Sequence, residues 1–161
     1  MEQLSRWADF TPSSQPDASR AGGEVIISPG TETRTGYALF YHAISLAQRN
    51  TSDSNEQAKK RLSWMAANMP RHPFWDRAIL EMAKLQIADR KKENAISTLT
   101  KIEATSGTPA IRQESARLLA LLYFEGENFN SAASAFLRAH RSLPAGEGDI
   151  LAVNAGVSLL R

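Results

Sequence analysis

The chain has no cysteine, which excludes disulfide frameworks, thiolate metal sites and cysteine nucleophiles together. Only His, Asp and Glu are left as metal ligands. No run of about 18 apolar residues exists, so no helix is expected to span a bilayer. Aromatic residues are few, at 7%, and after residue 36 proline occurs only at 70, 73, 109 and 144. What remains is ordinary for a soluble globular chain: 161 residues, 42% hydrophobic and 22% charged. One domain of this size buries roughly 68–70% of its unfolded surface without needing staples. The opening Met1–Arg6 has no basic run followed by an apolar segment, so no secretory signal is expected there. A cytoplasmic placement follows if Met1 is native, and a bacterial periplasmic or envelope placement if a signal was removed.

The net charge of +2 and a pI near 9.1 raise the question of nucleic acid. The distribution argues against it. Residues 1–34 carry three Arg against five acids, a net of −2, and the remainder carries 16 basic against 12 acidic residues, a net of +4. The basic runs Lys59-Lys60-Arg61 and Arg90-Lys91-Lys92 have no interleaved aromatics. They are read as solvated helix and turn charges, and no nucleic-acid partner is expected.

Residues 11–36 hold three of the 7 prolines and four of the 9 glycines without helical period, so 1–34 read as a tail or linker. Two islands interrupt it, read either as incidental apolar residues of a tail or as docking segments that pack against the body or a partner. Leu4, Trp7 and Phe10 stand at spacings of three, and Glu24-Val25-Ile26-Ile27-Ser28 is strand-like. From 35 to 161 the pattern is helical, with helices expected at about 36–49, 54–68, 74–88, 92–104, 110–124, 128–142 and 149–160. Asp53 or Ser54 is expected to cap the second helix, Thr108 followed by Pro109 the fifth, and Asn128 the sixth. Connections of two to six residues force consecutive helices to fold back on each other.

The chain repeats itself. Ala58, Ala95 and Ala132 stand 37 residues apart. Leu62, Leu99 and Phe136 follow four residues later, and Met65, Ile102 and Ala139 follow at seven. A small residue followed by large ones at i+4 and i+7 makes one helix face, and the small residue lets a neighbouring helix approach. In the preceding helices Met82-Ala83 and Leu119-Ala120 are again 37 apart. Each helix pair therefore reads as one unit stacked on the next, with HEAT-type repeats and an irregular bundle as the alternatives.

The stretch from Leu119 to Pro144 resembles the tetratricopeptide repeat (TPR) family. Leu119, Ala120, Tyr123, Phe129, Ala132, Phe136, Ala139 and Pro144 fall at that family's Leu, small, Tyr, Tyr, Ala, Tyr/Phe, Ala and Pro positions. The middle unit keeps Met82, Ala83, Ala95, Leu99 and Ile102, with Gln86 where Tyr is usual; the first keeps Ala58, Leu62, Met65 and Pro70. The 37-residue interval and the Asn68–Pro73 joint are similar to divergent, bacterial envelope-associated members. The resemblance implies an all-α right-handed solenoid of antiparallel helix hairpins, about three repeats plus a C-terminal helix.

Catalytic patterns are missing. No P-loop follows Gly30, no dinucleotide fingerprint surrounds Gly146-Glu147-Gly148, and no G-x-S-x-G elbow exists. His42, His72 and His140 lack ligand spacing and are read as surface or partly packed imidazoles, so no metal and no cofactor is expected. Glu125 and Glu127 are read as loop charges, and Asn50-Thr51-Ser52 as a chance sequon. The chain is not expected to be an enzyme.

The resemblance places Arg77, Lys84 and Ile87, then Glu114, Arg117, Leu121 and Phe124, on the concave face of the solenoid, extended by Val153, Val157 and Leu160. A basic stripe of Arg77, Lys84 and Arg117 beside an apolar floor of Leu121, Phe124 and Val157 suits an acidic and apolar peptide or helix of a protein partner. The carboxylate clamp of the TPR family requires asparagines alongside the basic residues, and here Leu80, Leu118 and Leu121 stand nearby instead. The implied function is a non-catalytic scaffold or adaptor in a larger, bacterial assembly. The alternatives are a secretion-type chaperone for one client and a helical accessory domain of a larger enzyme. A solenoid end needs a polar outer face, yet Ile150, Leu151, Val153, Val157, Leu159 and Leu160 crowd residues 149–161. More chain, a second copy making a homo-oligomer, a partner, or the Leu4/Trp7/Phe10 segment is expected to cover it.

Overall fold

The computed structural model describes residues 29–141 and 148–161. The Leu4/Trp7/Phe10 turn, the Glu24–Ser28 segment and Pro144 lie outside them. Among the described residues all regular structure is helical: α1 (Pro29–Gln48), α2 (Ser52–Asn68), α3 (Trp75–Ala88), α4 (Lys92–Thr105), α5 (Pro109–Glu125), α6 (Phe129–Arg141) and α7 (Asp149–Leu159). From α2 onward each boundary stands within two residues of its expected place.

The first helix differs. It begins at Pro29, seven residues ahead of the expected 36, so the boundary drawn at 34/35 falls inside α1. Proline in a first turn loses no hydrogen bond and has the φ a helix needs. Gly36 inside the helix is buried. A glycine there lowers intrinsic helix propensity by only about 1 kcal/mol, which tertiary packing overrides.

The caps follow local geometry. Thr51, not Asp53 or Ser54, caps α2: its Oγ1 accepts the Ser54 N–H at 3.2 Å, and the Ser54 hydroxyl accepts the Thr51 N–H at 3.1 Å. Thr108 is the N-cap of α5 with Pro109 in its first turn, but its side chain makes no cap hydrogen bond. At α6, Asn128 Oδ1 accepts the Ser131 N–H at 3.3 Å.

The chain divides into two compact units, Met1–Ala78 and Ile79–Arg161. In the first, α1 packs on α2, and Leu39, Phe40, Ala43 and Leu46 are buried, as are Ala58, Leu62 and Met65. Trp75 closes this unit by donating its indole N–H to the Ala66 carbonyl at 2.9 Å. In the second, α4 packs on α5, α5 on α6 and α6 on α7. Ala95, Leu99, Ile102, Leu119, Ala120, Ala132, Phe136 and Ala139 are buried there, and Tyr123 is half-buried.

The 37-residue period reappears in the backbone. After α3, the Arg90 N–H bonds the Ile87 carbonyl and the Lys91 N–H the Gln86 carbonyl, both at 2.9 Å. After α5, Glu127 bonds Phe124 at 3.1 Å and Asn128 bonds Tyr123 at 2.9 Å. These are Schellman closures, 37 residues apart donor for donor and acceptor for acceptor. Arg90 and Glu127 take the left-handed conformation at φ 59° and 58°, and Asn50 takes it after α1 at φ 51°.

Candidate functional site

The residues expected to line a groove come mainly from α3 and α5. On α3, Lys84 Nζ lies 2.9 Å from Glu81 Oε1, one turn earlier. On α5, Arg117 forks onto Glu114 with Nε 2.8 Å from Oε2 and Nη2 2.9 Å from Oε1. Both acids sit three residues before their base, on the same helix face. Hydrogen bonding by Arg117 holds the Glu114 carboxyl below its ordinary range; burial opposes this, and the charges of Arg117 and Lys84 support it. The Glu114 hydrogen bond in turn raises the Arg117 guanidinium.

Each base is thus paired with an acid of its own helix. The expected basic stripe is neutralised at these two positions. Beyond the ion pairs on α5, Leu121 is 39% exposed. Phe124 is half-buried, with its ring edge-on to Phe129 at 5.4 Å. Ile87 is half-buried. Val157 stands on α7, which packs on α6.

Also in the second unit, Arg138 of α6 forks onto Glu103 of α4, with Nε–Oε1 at 2.7 Å and Nη2–Oε2 at 3.2 Å. The Glu103 hydrogen bond raises the Arg138 guanidinium. Lys92 of α4 reaches Glu125 of α5 at 3.2 Å. Glu125, expected as a loop charge, is therefore the last residue of α5 and an ion-pair partner.

Arg77 belongs to the first unit, where its guanidinium carbon lies 5.0 Å from the Phe74 ring centroid. Phe74 also meets Tyr37, Phe40 and Tyr41 edge-on at 4.7, 5.0 and 5.9 Å. Tyr41 is 58% exposed on this aromatic cluster. Sequence reasoning missed it, although Tyr37, Phe40 and Tyr41 at i, i+3 and i+4 were the available signal.

The run Lys59-Lys60-Arg61 is not simply solvated. Arg61 is buried, donating Nε to His42 Nδ1 and Nη1 to the Gln57 carbonyl, each at 3.3 Å. Burial lowers the Arg61 guanidinium below its ordinary value. Burial, then the Arg61 charge, lowers His42.

The other two histidines bind backbone. His72 Nε2 lies 2.9 Å from the Thr33 carbonyl, and His140 Nδ1 lies 3.1 Å from the Gly148 carbonyl. Among the described residues no group of three His, Asp or Glu side chains could hold a metal, and no helix is long and apolar enough to cross a membrane. No protein-family model matches the chain, and no curated protein and no solved structure matches it either.

Proposed function

We propose that the chain is a TPR-like scaffold: a right-handed solenoid of helix hairpins that binds a peptide or helix of a partner protein without catalysing a reaction. The observation that carries this reading is the ion pair of Glu103 with Arg138, which joins α4 to α6, the second helices of two successive units. Helix α5 packs on both of them. Second helix beside second helix is the neighbour relation of stacked hairpins. The matching Schellman turns support it.

The surface formed by α3 and α5 is the docking face in this reading. Glu81 and Glu114 hold Lys84 and Arg117 in place, and an incoming carboxylate exchanges with them. Leu121 and Phe124 supply apolar contact beside the charges. Exposed ion pairs of this kind contribute about 0–1 kcal/mol to folding, so opening them for a ligand costs the domain little.

Affinity purification with mass spectrometry, run on the wild type beside Lys84→Gln/Arg117→Gln, tests the reading. Neutral replacements are needed because reversal to Glu would set two carboxylates one turn apart on each helix and confuse binding with folding. The expected result is a partner held in constant ratio by the wild type and lost from the variant at unchanged helicity. Equal capture by both proteins would refute the docking face.

A further inference from the structure

Helix α7 is apolar on two sides. Leu151, Ala155 and Ser158 are buried, and α7 packs on α6. The other side leaves Ile150 74%, Val153 61%, Val157 41% and Leu160 88% exposed. Their spacing of three, four and three residues makes one continuous stripe. No charged residue stands between Asp149 and Arg161. Gly156 opens on the same side, with no heavy atom within 4 Å of where a Cβ would stand. A glycine inside a helix weakens it relative to alanine but lets a second backbone approach closely.

We infer that this stripe is the contact between two copies of the chain, paired antiparallel through α7 about a two-fold axis. An uncharged stripe offers nothing to select a charged ligand, and its complement is another uncharged apolar face. Leu159, 64% exposed, lies beside the stripe on α7; on the other helices the exposed large apolar side chains among the described residues are Tyr41, Leu121 and Leu137, each on a different helix. The stripe therefore complements itself, as an isologous contact requires. Its exposed residues put on the order of 500 Å² in water per copy, so a pair covering them fully removes at most about 1,000 Å², where specific interfaces begin. Antiparallel pairing also sets the positive end of each helix dipole beside the negative end of the other. Ile150 then meets Leu160 of the second copy, and Val153 meets Val157. The inference is independent of the α3–α5 docking face.

Sedimentation of the full chain across concentrations tests it, together with cross-linking in a background free of native cysteine. The wild type is expected to reach twice the monomer mass with a midpoint below about 100 μM. Val153→Glu/Val157→Glu is expected to remain monomeric with unchanged helicity. Ile150→Cys/Leu160→Cys is expected to give a covalent dimer on mild oxidation, because these positions lie about 15 Å apart within one helix and cannot bridge internally. Ile150→Cys alone is expected to give none. Cross-linking by that single variant means parallel pairing and overturns the arrangement. A wild type monomeric at every concentration overturns the pairing itself. If changing Trp7 and Phe10 to Ser then releases a dimer, the stripe belongs to the chain's own first residues; if not, it belongs to further chain or to a different protein.

Discussion

The imidazole of His72 fills the space that a side chain on Gly36 would need. Its Nε2 lies 2.9 Å from the Thr33 carbonyl, and its Nδ1 accepts the Phe74 N–H at 3.0 Å. With both nitrogens committed and the Tyr37 ring edge-on at 4.8 Å, the imidazole has no free direction in which to move. An alanine at an unobstructed helix position stabilises by about 0.5–1 kcal/mol over glycine. Here the sign reverses: Gly36→Ala is expected to destabilise by about 1–3 kcal/mol through overpacking. The cost should shrink in a His72→Ala background. A double-mutant cycle by urea unfolding measures it, and additive costs would mean that the two residues do not conflict.

The interhelix turns give a second test. Arg90 and Glu127 hold left-handed backbone that costs an ordinary L residue about 1–2 kcal/mol. Arg90→Gly and Glu127→Gly are each expected to raise stability by about 0.5–1 kcal/mol, once the greater freedom of glycine in the unfolded chain is subtracted. Asn50→Gly should gain less, since asparagine already tolerates this conformation. Thermal melts of the three single variants rank them. A larger gain at Asn50 than at Glu127 would contradict the assignment.

These turns also mark where sequence reading stops. The 37-residue period and the helices after residue 50 were legible because small and large apolar residues recur at fixed helical spacing. Which residue turns left-handed was not. Gly126 looks like the natural choice, yet it sits at φ −90° and passes the strained position to Glu127. The start of α1 was hidden by Pro29, Gly30 and Gly36, whose local preferences point to a linker. What offsets Gly36 is His72, 36 residues away, and no local pattern announces it. The ion pairs were half legible: Glu81 and Glu114 stand three residues before Lys84 and Arg117, enough to foresee that the stripe would be neutralised. The pair of Glu103 with Arg138, which links α4 to α6, needed the fold.

Stability should depend on pH through His42. Its imidazole is held below the ordinary value of about 6.5 by burial and by Arg61, so the unfolded chain takes up the proton first. The stabilising contribution is complete above about 6.5 and falls as the pH drops below it, levelling off only beneath the folded value. Unfolding free energies of the wild type and His42→Gln from pH 7.5 down to 5 isolate this group from His72 and His140. The difference should shrink steadily as the pH is lowered. A pH-independent difference would remove His42 from the account.

The two sides of α7 should respond oppositely to truncation. Leu151 is 7% exposed, and cutting its side chain back leaves a void that the surrounding helices cannot fully close. Leu151→Ala is expected to cost about 2–3 kcal/mol, the lower part of the range for buried leucines because one side of this helix faces solvent. Val153 already stands in water on the opposite side, so Val153→Ser should change the stability of the monomer by less than about 0.5 kcal/mol. Both are read by urea unfolding at low protein concentration, where association does not contribute. Equal losses would mean that α7 is docked by both sides within a single chain, leaving no stripe for a second copy.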